Sequence, residues 1–195
     1  MQKEIILASG SPRRKMLLEG AGVLLRVEVS DADETHVEGE LPRTYLTRTA
    51  RAKGDAVYRQ HVGEPVYIVS ADTIVVRDDV ILGKPHDSAQ AFEMLTSLSG
   101  RAHKVMTGVC VIDASTGTAS QFISETDVHF AKLSDATIRR YIATGEPMDK
   151  AGAYGIQSGA AGFVERIEGS YTNVVGLPLC ETLQKLMELG ALNDK

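Results

Sequence analysis

The sequence predicts an α/β fold on a mixed β-sheet, and two observations carry that prediction. Short β-rich runs alternate with amphipathic helical stretches, which favours strands covered by helices. Hairpin signals also occur, so the sheet is mixed rather than purely parallel. The chain has 195 residues, 43% hydrophobic and 24% charged. That suits a single domain with room for two lobes. There is no tryptophan, so Val, Leu, Ile and Ala must build the core.

The elements follow in order. The run EIILA (4–8) is short and apolar and stops at SGSP, as a buried strand ending in a turn does. Pro12 then opens a helical stretch, because proline suits the first helical position. Residues 23–29 are β-rich and end at SDADE. Residues 44–60 carry apolar residues at helical spacing. VYIVSADTIVV (66–76) is the strongest strand signal in the chain, and Asp78-Asp79 can close a hairpin after it. Residues 88–97 form an amphipathic helix with Asp87 or Ser88 as its cap. Residues 104–113 and 121–133 read as strands joined by ASTGT. Residues 135–144 read as a helix stopped by Gly145. Residues 149–162 are rich in Ala and Gly. A strand is expected over 162–167 and a closing helix over 179–189.

Charge bounds the partners. The formal net charge is −5, which gives no general attraction for nucleic acid or anionic membrane. A bound polyphosphate would need a local cluster of cations. Cys110 and Cys180 lie in apolar runs and read as small buried hydrophobes in a reducing compartment. The run IILA is too short for a secretory signal, and no stretch approaches the roughly 20 apolar residues that span a bilayer. A cytoplasmic protein is expected.

Several segments carry polar chemistry. SGSPRR (9–14) meets a helix start, where free backbone N–H groups and the helix dipole favour an anion. Arg13 and Arg14 suit phosphate oxygens, or else a solvated surface. Asp72 sits inside an apolar strand, where a carboxylate needs a metal, a cation or several hydrogen bonds. Asp31, Asp33 and Glu34 follow a strand, as Mg²⁺ ligands or a solvated acidic turn would. Lys53 and Lys84 fit either a cleft or plain surface. DKAGAYGIQS (149–158) allows close backbone approach to a ligand or simply tight packing, and Gln157 could read a base or hold a water. His103 has no metal-ligand spacing around it and is read as structural. No GxxxxGK[ST] or GxGxxG is present, which removes the P-loop and dinucleotide-binding readings.

In this order the segments resemble the Maf proteins, nucleotide pyrophosphatases historically linked to inhibition of septum formation. The matching stretches are ILASGSPRRKMLL, SDADE, ARAK, SADTIVV, GKP, FEMLTSLSGRAHKVMTGV, GEPMDKAGAYGIQ and GSYTNVVGLPLCET. They run through nearly the whole chain.

The resemblance implies an elongated mixed sheet flanked by helices, with two lobes around a nucleotide-binding cleft. It implies cleavage of a nucleoside triphosphate to monophosphate and pyrophosphate. Mg²⁺ or Mn²⁺ would be the metal and Glu34 and Asp72 its ligands, with Asp72 also the base. Lys53 and Lys84 would join Asp72 in catalysis, and Ser9, Arg13 and Arg14 would hold phosphate. SADT and AYGIQ look like the dTTP/UTP branch, in which Thr73, with a contribution from Arg13, would select the pyrimidine base and Gln157 would take the place of the family's late substrate-binding glutamine. A homodimer is also implied. Ser158 departs from the family's usual glycine and puts the substrate range in question. Two rivals remain: an inosine triphosphate-type pyrophosphatase, and a nucleotide-binding regulator of cell division without turnover.

Overall fold

The computed structural model describes residues 3–193. Its strands are β1 (Glu4–Leu7), β2 (Leu25–Val27), β3 (Val66–Arg77), β4 (Val80–Leu82), β5 (Ala102–Asp113), β6 (Thr118–Phe130) and β7 (Val164–Glu168). Its helices are α1 (Pro12–Gly20), α2 (Pro42–Tyr58), α3 (Ser88–Leu98), α4 (Asp135–Ile142), α5 (Tyr171–Val175) and α6 (Leu179–Glu188). The strands form a seven-stranded sheet in the order β2-β1-β3-β5-β6-β7, with β4 paired to β3. β1 runs parallel to β2 and β3, while β4 is antiparallel to β3 and β7 to β6, so the sheet is mixed as expected.

The chain divides into two compact units. The first holds residues up to Asp72, Thr107–Ser124 and the segment from Gly176 onward; the second holds Thr73–Met106 and Glu125–Val175. In the first unit, alternate residues of each strand point to opposite faces. One face packs Ile6, Ala8, Ile68, Cys110 and Ile112 with Ala50 and Val57 of α2. The other packs Ile5, Leu7, Val69, Val109 and Val111 with Leu18 of α1 and Leu186 of α6. Burial of these side chains is the main stabilisation, at about 25 cal/mol per Å² of apolar surface.

Two glycines let α2 lie close to the sheet. A Cβ at Gly108 would sit 2.9 Å from the Leu46 carbonyl oxygen. A Cβ at Gly54 would sit 2.9 Å from both Ile112 Cδ1 and Ser70 Oγ. Ser70 uses the closeness by donating to the Ala50 carbonyl at 2.7 Å. The Cys110 thiol, buried beneath α2, is pushed up to about 12 by burial. Cys180 corrects the expectation of two buried thiols, because it lies exposed on α6.

In the second unit, Asp78 and Asp79 both take left-handed backbone (φ 50 and 63) and close the β3–β4 hairpin. Asp87 caps α3, its side chain accepting from Gln90 N at 2.7 Å. Gly145, at φ 75, follows the end of α4. The Ala/Gly-rich stretch forms three short 3₁₀ turns at Glu146–Asp149, Ala151–Ala153 and Gly159–Phe163.

His103 is structural, as expected. It is buried, its Nε2 lies 2.8 Å from the Tyr154 hydroxyl, and its ring meets Phe130 and Tyr154 edge-on. Burial holds it neutral, with its pKa pushed down to about 4. In the unfolded chain it takes a proton near pH 6.5, so the stabilising difference is full above that pH and shrinks as pH falls toward 4. About 3 kcal/mol should be lost across that window. Chemical denaturation of His103→Gln between pH 7 and 4 should show a flatter acid limb than the parent. Identical limbs would show that His103 does not govern this loss.

Candidate active site

The site grows from one face of α2. Tyr45, Thr49 and Lys53 lie four residues apart, so they stack along one side of the helix. Facing them is Asp72, where the apolar strand β3 admits a carboxylate. All three residues and Asp72 are buried. Lys53 Nζ stands 2.8 Å from Asp72 Oδ1 and 2.9 Å from a Glu34 carboxylate oxygen, bridging the two acids. Thr49 Oγ1 donates to Asp72 Oδ2 at 2.9 Å. The Tyr45 hydroxyl donates to the Glu34 carbonyl at 3.1 Å. Burial, then the charges of Asp72 and Glu34, raise the Tyr45 pKa. Buried Asp72 therefore has both a cation and a hydroxyl donor, which offset the cost of burying its charge.

The acidic loop is fastened to α2 on a second line. Arg48 donates to the Thr35 carbonyl at 3.0 Å and holds the Glu40 carboxylate through two nitrogens. The Glu34 side chain remains 51% exposed, so its oxygens can serve a ligand from solvent.

The turn after β1 supplies the opposite charge. Ser9 Oγ accepts from Ser11 N at 3.2 Å and from Arg14 Nη1 at 3.1 Å. Arg14 Nε donates to the Gly176 carbonyl at 2.8 Å. Burial lowers the Arg14 pKa, and nearby Asp72 and Glu34 oppose that shift. Arg14 thus braces the turn from inside. Arg13 is half-buried and makes no hydrogen bond or ion pair among the described residues, so its guanidinium is available to an anion.

The structure brings Ser9, Arg14, Glu34, Lys53 and Asp72 into one electrostatic group in the first unit, with Arg13 on the same turn. Lys53, which alone also read as surface, is buried. Tyr45 and Thr49 were not anticipated; a polar residue recurring every fourth position on a helix with buried Leu46 and Ala50 is the signal that marks them. A cavity of about 600 Å³ also opens in this unit, lined among others by Arg43, Thr47, Phe122 and Ile123. None of the five grouped residues lines it.

The remaining expected residues belong to the second unit. Thr73 follows Asp72 directly in β3. Lys84 and Gln157 are exposed. Gln157 sits in a segment tied down by Glu146, whose carboxylate accepts from the Tyr141 hydroxyl at 3.0 Å, from Gly159 N at 3.2 Å and from the Ser158 hydroxyl. Ser158, the departure from the family pattern, adds a hydrogen bond inside its own unit.

The family model described as "Maf-like protein" matches residues 4–189. A dTTP/UTP pyrophosphatase of Geotalea uraniireducens is 50% identical over 98% of this chain and 97% of its own. One from Geobacter sulfurreducens is 51% identical over 96% and 97%. Among solved structures, a HAM1 protein from Coxiella burnetii shares the fold, with a TM-score of 0.52 at 12% identity over 95% of this chain and 98% of that one. The match along nearly the whole sequence places the chain in the Maf family.

Proposed function

We propose that the chain hydrolyses dTTP and UTP to the nucleoside monophosphate and pyrophosphate. The Lys53 bridge between Glu34 and Asp72 carries the reading, because it sets two acids and a cation beside an arginine-bearing turn. The names of the half-identical relatives support the substrate.

In this reading the Ser9–Arg14 turn holds the phosphate chain, with Arg13 reaching the oxygens and Arg14 fixing the turn. Water attacks the α-phosphorus and forms the new P–O bond. Asp72 accepts the proton on a lone pair that neither Lys53 nor Thr49 occupies. The bond from the α-phosphorus to its bridging oxygen breaks, and the electron pair leaves on pyrophosphate. Lys53 offsets negative charge as it builds. Positioning and charge neutralisation supply most of the rate.

The donor set fits a hard divalent cation. Among the described residues no three His, Cys, Asp or Glu side chains cluster as a metal site. Mg²⁺ characteristically takes one or two carboxylates and completes its shell with phosphate and water. Glu34 and Asp72 would hold Mg²⁺ or Mn²⁺, which when bound would offset charge on the leaving pyrophosphate.

The test is a panel of dTTP, UTP, CTP, ITP and XTP with Mg²⁺ or Mn²⁺, scoring pyrophosphate apart from orthophosphate. Pyrophosphate from dTTP and UTP above the rest is the expected result. Release from ITP and XTP alone would overturn the base preference. Nucleotide binding without release would overturn the activity.

A further inference from the structure

We propose that Thr49 is a positioning residue that sets the orientation of the Asp72 carboxylate; the inference rests on the reading of Asp72 as the base. Asp72 is held at both oxygens, Oδ1 by Lys53 at 2.8 Å and Oδ2 by Thr49 at 2.9 Å. The two holds differ in kind. Lys53 ends a flexible four-carbon stem and is shared with Glu34. Phosphate arriving at the site competes for that ammonium. Thr49 is fully buried and β-branched, so its χ1 is stiff. Its oxygen is also fixed against the helix, 2.9 Å from the Tyr45 carbonyl.

The hydroxyl has one proton for two acceptors at 2.9 Å, the Tyr45 carbonyl and Asp72 Oδ2, and a more distant third, the Leu46 carbonyl at 3.5 Å. The charged carboxylate is the stronger acceptor. Thr49 therefore keeps its grip on Oδ2 when Lys53 turns to substrate, and Oδ1 stays directed toward the water. Without it the carboxylate is free to rotate just when its direction matters.

The experiment compares Thr49→Val, Thr49→Ser, Asp72→Asn and the Thr49→Val/Asp72→Asn double variant, using dTTP with Mn²⁺ and checking each fold by thermal melting. Valine matches threonine in shape and removes only the hydroxyl; Thr49→Ala makes the same deletion without bulk if the valine variant does not fold. We expect Thr49→Val to lower kcat roughly 10- to 100-fold with KM changed less than about threefold. Thr49→Ser should recover most of the loss. Added to Asp72→Asn, Thr49→Val should cost less than about twofold more, since it acts through that carboxylate. An unchanged kcat in Thr49→Val, a serine variant as poor as the valine one, or a full loss on the Asp72→Asn background would each overturn the proposal. Wild-type turnover by Asp72→Asn alone would instead remove the base reading, and the role of Thr49 with it.

Discussion

Asp72→Asn is expected to cut pyrophosphate release from dTTP by roughly a thousandfold or more, the scale seen when a group acting at the reacting centre is removed. The amide keeps the shape and loses the charge. One of its atoms must now be an NH₂ donor. Turned toward Thr49, that donor finds a hydroxyl that can accept while handing its own proton to the Tyr45 carbonyl 2.9 Å away. The amide oxygen then stays on Lys53, which also retains Glu34 at 2.9 Å. Every buried polar group so keeps a partner, and the loss of stability should stay near 1 kcal/mol. A melting temperature close to the parent's with turnover lost is the expected pair of readings. Near-parental turnover would show that Asp72 is not the base.

Lys53→Met should be damaging in both respects. Methionine fills the volume but leaves Asp72 buried without the ammonium. Removing one partner from a buried ion pair costs about 3 kcal/mol or more, and loss of a cation from the reacting centre should lower kcat by two to three orders of magnitude, as a rough figure. A sharper reading comes from metal. In the parent the ammonium already sits between Glu34 and Asp72, so an added cation must share those oxygens with it. In Lys53→Met the two acids lose that ammonium and only the charge of nearby Arg14 remains to offset them, so Mn²⁺ should raise the melting temperature more than it does in the parent. An equal metal-induced shift in both proteins would mean that Glu34 and Asp72 do not hold the metal.

Much of the fold was legible because its elements are locally encoded. β3 appeared as a long, largely apolar β-rich run, α3 as a periodic stretch behind Asp87, and the β3–β4 turn as Asp78-Asp79. The parts that escaped lack such local signals. α5 is five residues long, and the 3₁₀ turns between Glu146 and Phe163 are Gly/Ala-rich with no period to read. Cys180 has apolar neighbours in sequence yet faces outward, because helical phase rather than neighbourhood decides burial.

The site was legible where a residue contradicted its surroundings, as Asp72 does in an apolar strand. It was not legible where the residue looked ordinary. Thr49 on a polar helix reads as solvated surface until Asp72, 23 residues on, is folded against it. Arg14 resembles its neighbour Arg13, and it is contacts such as that to the Gly176 carbonyl, 162 residues away, that make one a brace and the other a ligand arm.

The two glycines at the contact between α2 and the sheet, Gly54 in the helix and Gly108 in β5, have a consequence for how this protein can lose its chemistry. A methyl group at 54 or 108 would meet atoms 2.9 Å away and press the helix outward by a few tenths of an ångström. Such a shift is modest for packing, but it is large for contacts of 2.8 and 2.9 Å that run from that helix to one carboxylate. Genetic lesions that silence the enzyme should therefore include positions with no functional group at all, in chains that still fold. Two missing methyls belong to the reactive geometry as much as the lysine and the aspartate do.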